Sequence, residues 1–202
     1  MHDNPLATHL AHRALRAGAL GAGRAMTADD RSLALPTPTV SDSTPSTAAL
    51  TVLATTDIHG HVFDWDYFAD AAFPPSDKGR SSAPLGVSRV ATIAKQVRAE
   101  QGTDSVVMLD NGDTIQGTPL TYLSAKQPEK LGHDEVMARA FNLVGYDAAN
   151  IGNHEFNYGV KELLRYHNDL KAPLLCANVI DVKTGKPLTQ GTLLLTNNVA
   201  GP

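Results

Sequence analysis

From residue 50 onward the chain alternates short apolar runs with amphipathic segments, and this alternation restricts the fold more than any other feature. Residues 50–55 (LTVLAT), partly β-branched, read as a buried strand and residues 105–110 (SVVMLD) as a second. Residues 148–151 (AANI) form a weaker third and residues 173–180 (PLLCANVI) a fourth. Between them, Val87, Val90, Ile93, Ala94 and Val97 fall three and four apart, as do Val136, Met137, Ala140, Phe141 and Val144. Val160, Leu163, Leu164 and His167 make a third stripe of that spacing. Strands alternating with helices predict an α/β fold whose parallel strands are joined by right-handed crossovers.

The first 49 residues follow different rules. In residues 36–47, ten of twelve are Ser, Thr or Pro, a composition that buries no apolar surface and behaves as a linker. Upstream, Gly18, Gly21 and Gly23 weaken any helix, and Arg13, Arg16 and Arg24 interrupt each stretch that a signal peptide would need. The expected organisation is therefore a disordered tail and linker over residues 1–49 and one domain over residues 50–202. A net charge of −4 argues against a nucleic-acid duplex as partner, since phosphate neutralisation needs clustered Lys and Arg. No apolar run approaches the roughly 18–20 residues of a membrane span. The single cysteine, Cys176, excludes an internal disulfide and a cysteine-based zinc site, and its apolar surroundings predict an inert buried thiol.

Functional groups in open α/β sheets collect beyond the carboxyl ends of the strands. Three strand ends here carry Asp57-Ile58-His59-Gly60-His61, Asp110-Asn111-Gly112-Asp113 and Gly152-Asn153-His154-Glu155. Asp, Asn and Gly are ordinary turn formers, so each cluster alone suits a turn better than a ligand set, and His61 alone suits the surface. Together they offer the mixed nitrogen and oxygen donors that a two-metal hydrolytic site requires. Asp57 and His59, two apart, point to the same side of an extended segment and can chelate one ion. Asp113 suits a carboxylate bridging two ions about 3.5–4 Å apart. The amide oxygen of Asn153 suits the second ion, with His154 facing the substrate. Gly60, Gly112 and Gly152 allow close backbone approach.

These blocks resemble the calcineurin-like metallophosphoesterases, whose signature reads D-x-H, G-D and G-N-H-E. Within that superfamily the segments TTDIHGHVFDWDY, DNGDTIQGTPL, GYDAANIGNHEFNYG and CANVID are similar to the nucleotidase branch that hydrolyses 2′,3′-cyclic nucleotides and 3′-nucleotides. The resemblance runs from about residue 50 to residue 187. It implies an α/β/β/α β-sandwich flanked by helices and two divalent metal ions of the Mn, Zn, Co or Mg class. Asp57 and His59 become ligands of the first metal, Asp113 the bridge, Asn153 a ligand of the second, and His154 the catalytic histidine. It also implies a nucleotide substrate and a periplasmic, envelope or extracellular location.

Two departures carry information. Many 5′-nucleotidases of the superfamily have an Asp three residues after the catalytic histidine, and this chain has Asn157, which shifts the expectation toward the cyclic-phosphodiesterase branch. A 5′-nucleotidase or sugar-nucleotide hydrolase is the runner-up. The family also completes its site with later histidines in a G-H-x-H block, whereas none of the eight histidines here follows His167. The chain thus reads as an amino-terminal fragment holding a partial ligand set, its sandwich incomplete at the C-terminus. A non-catalytic, metal-binding fragment is the alternative from outside the enzymes.

Overall fold

The computed structural model describes residues 47–72, 85–132 and 134–196. Most of the expected tail and linker, together with His2, His9, His12 and His133, lies outside the described residues. In chain order the elements are β1 (Thr51–Thr55), β2 (Trp65–Asp66), β3 (Ala71–Ala72), α1 (Val87–Gln101), β4 (Val106–Asp110), α2 (Pro119–Lys126), α3 (Val136–Val144), β5 (Ala148–Asn150), α4 (Val160–Asp169) and β6 (Leu174–Leu175).

The four apolar runs pair in parallel as β1-β4-β5-β6, and β2 and β3 form a separate antiparallel pair. This is the α/β fold that the alternation predicts, and one sheet of the implied sandwich lies among the described residues. Helix α3 packs against α1, α2 and α4. Its buried Met137, Ala140, Phe141 and Val144 join Met108 of β4, Ala149 of β5 and Leu174 of β6 in one apolar core. Phe141 stacks on Tyr146 with ring centroids 4.0 Å apart. By the period-two alternation of strands, the face opposite Leu53 and Met108 carries Val52 and Ala54, both exposed.

Three elements differ from the sequence reading. The fourth strand is two residues long, not eight, because the chain leaves the ladder as a run of turns begins. The Cys176 thiol donates to Asn178 Oδ1 at 3.0 Å, and Asp181 Oδ1 accepts the amides of Lys183 and Thr184 in an Asx turn. Helix α2 was not expected. Its start is set by Thr118, whose hydroxyl accepts the Thr121 amide in a capping box, with Pro119 in the first turn. The stripes are also narrower than their spacing suggests: Ile93 and Val160 are exposed, and Val87 and Ala94 carry the inward face of α1.

Candidate metal centre

The loops that follow β1 and β4 run side by side beyond the sheet. Asp57 N–H donates to Gly112 O at 3.0 Å, His59 N–H to Asp113 O at 2.9 Å and Gly60 N–H to Thr114 O at 2.8 Å. These bonds hold Asp57, His59 and Asp113 at φ of 55°, 48° and 59°, the left-handed region. Asp70 is the only other non-glycine residue with positive φ among the described residues. Asp and His tolerate this region better than branched residues, yet each such residue costs about 1 kcal/mol or more and persists only where its surroundings over-determine it. Three of the four left-handed non-glycine residues are thus ones that the sequence singles out as candidate ligands.

The loop after β5 closes against the loop after β4 through reciprocal contacts. Asp113 Oδ1 accepts the His154 amide at 2.8 Å, and the carboxylate of Glu155 accepts the Asp113 amide at 2.9 Å. Glycine is required where the loops touch. A Cβ on Gly152 would collide with the Asp113 carboxylate, and one on Gly112 (φ 94°) with the backbone nitrogen of Gly152.

The arrangement brings one donor atom each from His59, Asp113 and His154 within 4.8 Å of one another. Asp57 Oδ1 lies 3.7 Å from His59 Nε2, outside the three-residue group but beside it, and is mostly exposed. Asn153 precedes the short 3₁₀ turn His154–Phe156, and its side chain is exposed and makes no capping hydrogen bond. The two imidazoles, with ring centroids 5.1 Å apart, are held differently. His59 Nδ1 lies 3.0 Å from the carbonyl of Gln116, an acceptor only, so the neutral ring carries its proton on Nδ1 and presents the Nε2 lone pair. His154 Nδ1 lies 3.0 Å from the side-chain nitrogen of Asn157, a donor, which leaves the proton on Nε2. The two rings of one cluster thus differ, His59 presenting a lone pair on Nε2 and His154 an N–H. Two oxygen-bearing carboxylates and an imidazole lone pair are a donor set that borderline divalent cations accept, so the residues fit a metal.

Beneath the loops, Asp110 at the end of β4 accepts hydrogen bonds from Thr55 Oγ1 at 2.6 Å, Thr114 Oγ1 at 2.9 Å and Gly112 N–H at 3.0 Å. Burial pushes its carboxyl up to about 6 although these bonds act to lower it. Asp110 fixes the loop and is not part of the donor cluster. His61 is partly buried, not the surface residue expected, and burial with neighbouring His59 lowers its pKa. Sequence reasoning assigned no role to Glu155 or to the Gln116 carbonyl. For Glu155 the available signal was a carboxylate inside the G-N-H-E block, and for the carbonyl there was none.

No protein-family model matches the chain. It is 42% identical over 161 residues to a 2′,3′-cyclic-nucleotide 2′-phosphodiesterase/3′-nucleotidase of Yersinia enterocolitica, covering 80% of this chain and 23% of that protein. Against the protein of the same name from Salmonella typhimurium it is 38% identical over 157 residues, covering 76% of this chain and 22% of the relative. The chain thus spans under a quarter of the length of these curated relatives. Among solved structures, the calcineurin-like phosphoesterase YfkN of Bacillus subtilis superposes with a TM-score of 0.61 at 30% identity, over 78% of this chain and 46% of that one.

Proposed function

From a chain that belongs to the calcineurin-like metallophosphoesterases, nucleotidase branch, we propose a metal-dependent phosphoesterase that hydrolyses 2′,3′-cyclic nucleotides and 3′-nucleotides. The observation that carries this reading is the convergence of His59, Asp113 and His154 from the ends of three strands. In it, Asp57, His59 and Asp113 hold a first divalent ion of the Mn, Zn, Co or Mg class, and Asp113 and Asn153 serve a second. When bound, such ions supply Lewis acidity toward a phosphoryl oxygen. Water attacks phosphorus, the bond from phosphorus to a ribose oxygen breaks, and the proton that the water loses reaches that oxygen through solvent. His154 Nε2–H offsets the charge on the departing oxygen by a hydrogen bond while keeping its own proton. Asn157 keeps the imidazole in the tautomer this requires. In this reading the catalytic domain begins at residue 50, and a periplasmic or cell-envelope location is part of the same proposal. No helix among the described residues is long and apolar enough to cross a membrane.

The test is hydrolysis by the chain, loaded with Mn²⁺, of 2′,3′-cyclic AMP, 3′-AMP and 5′-AMP. Turnover of the first two ahead of the third supports the reading. Preference for 5′-AMP transfers the protein to the 5′-nucleotidases. Metal binding without hydrolysis of any of the three favours a non-catalytic fragment.

A further inference from the structure

The Glu155 side chain is fully buried, with a relative exposure of 0%, yet it forms no ion pair among the described residues. Its Oε2 accepts the amides of Gly152 at 2.7 Å and Asp113 at 2.9 Å, and its Oε1 those of Thr114 at 2.5 Å and Ile115 at 3.3 Å. An ionised carboxylate is the side chain that offers about four acceptor sites and no donor, and all four are occupied here. Glu155 is therefore spoken for and does not belong to the donor cluster.

We propose that Glu155 is the positioning residue of the metal centre, a buried carboxyl group that gathers backbone amides from two loops and thereby sets the place of Asp113. The inference rests on the metal-centre reading above. Oε2 is shared between Gly152, on the loop after β5, and Asp113, on the loop after β4, so a single oxygen fixes the separation of the loops. Asp113 returns the contact by accepting the His154 amide, which closes a ring of bonds through the candidate bridging carboxylate. The left-handed φ of 59° at Asp113 is unfavourable in isolation, and three consecutive amides turned toward one carboxylate are what hold it. Asp113, Thr114 and Ile115 have nowhere else to send these donors once the loop is buried.

Glutamine in this place would have nearly the same shape but one acceptor oxygen, and its NH₂ would meet two N–H donors head on. In metal-free chain, amide exchange by NMR should find Gly152, Asp113 and Thr114 protected, although they lie in loops. Cobalt(II) titration should show Glu155→Gln binding about 10–100-fold more weakly than wild type. Its visible absorption should also change, reporting altered coordination, while circular dichroism shows the helices intact. Should Glu155→Gln fail to fold, Glu155→Asp, which keeps the charge but shortens the reach, is read in the same titration and should show a smaller loss. Fast exchange of those amides in wild type, or a folded variant that binds cobalt with wild-type affinity and spectrum, overturns the proposal. A wild-type chain that does not bind cobalt at all would refute the metal centre. Amide exchange would then still decide whether Glu155 holds the loops.

Discussion

Asp113 Oδ1 accepts the backbone N–H of His154 at 2.8 Å, so the candidate bridging carboxylate and the candidate catalytic histidine are tied across two loops. The bond uses one lone pair of Asp113 and leaves the others for a cation. It also sets where the His154 ring begins, while Asn157 sets which nitrogen carries its proton. The two residues should therefore be coupled in function yet separable in role.

That separation can be measured. His59→Ala removes an Nε2 lone pair oriented by the Gln116 carbonyl, and should weaken Mn²⁺ binding by about 10–100-fold in calorimetry. His154→Ala should leave Mn²⁺ affinity within about threefold, because its Nε2 carries a proton, and should lower hydrolysis by about 10²–10⁴-fold in an active preparation. Equal loss of affinity in both variants would make His154 a ligand. Wild type should show one weak Mn²⁺ site, with the second ion of the proposed pair held more weakly still, since His59 adjoins Asp113 and lies 3.7 Å from Asp57 while Asn153 brings a single amide. Two tight sites would contradict this.

Gly152→Ala tests the close approach of the loops. A methyl group there would strike the Asp113 carboxylate, and relief requires moving the loop. Overpacking of this kind typically costs about 1–3 kcal/mol. The variant should melt earlier than wild type and bind Mn²⁺ more weakly. An unchanged melting temperature would show that the loops stand further apart.

Stability should fall as pH rises through the neutral range, for a reason distant from the site. Glu135 is buried at the start of α3, where its carboxylate accepts the Ala138 amide at 2.7 Å. Burial pushes its pKa from 4.5 up to about 8, with Glu162 adding to the rise and Arg165 opposing it. The fold therefore retains a proton that the unfolded chain releases. This contribution is fully present below about 4.5 and is lost as pH climbs to about 8. Glu135→Gln keeps an oxygen for the Ala138 amide and removes the titration. Between pH 5 and 8 the melting temperature of wild type should decline relative to that of Glu135→Gln, and parallel curves would refute the assignment.

How much of this was legible in the sequence depends on whether a residue acts through its neighbours in the chain or across the fold. Strands β1 and β4 were readable because β-branched and apolar residues run without a break, and α3 because five apolar residues share one face. The eight-residue reading of the fourth strand failed where Asn178 and Asp181 divert the backbone, since turn chemistry competes with an apolar run. Asp57, His59 and Asp113 stand out in the sequence by type and spacing, whereas their left-handed φ, which Asp70 shares, was not readable there. The work of Glu155 was not legible, because three of its four partners are amides about forty positions away in the chain, and every residue except proline has one. The tautomer of His59 was hidden for the same reason, being set by a main-chain carbonyl at Gln116.

The sheet's second face supplies the last prediction. Val52 is 56% exposed on β1, Ala54 beside it is exposed as well, and Leu50 just before the strand is 51% exposed. Among the described residues, strand β1 is also an edge of the four-stranded sheet, with one side of its ladder unpaired. Exposed apolar residues on an unpaired edge invite pairing with another copy of the chain. Burying a Val side chain is worth about 1.5–3 kcal/mol, so association through this face is favourable before its entropic cost. The chain should bind ANS at neutral pH, and its light scattering should rise with concentration. Val52→Lys places a charge on the same edge and should reduce both signals. Because the side chain is already in contact with water, stability should move by no more than about 0.5 kcal/mol. A loss of 2 kcal/mol or more would mean that Val52 is covered in solution, and unchanged ANS emission would mean that the dye finds a different surface.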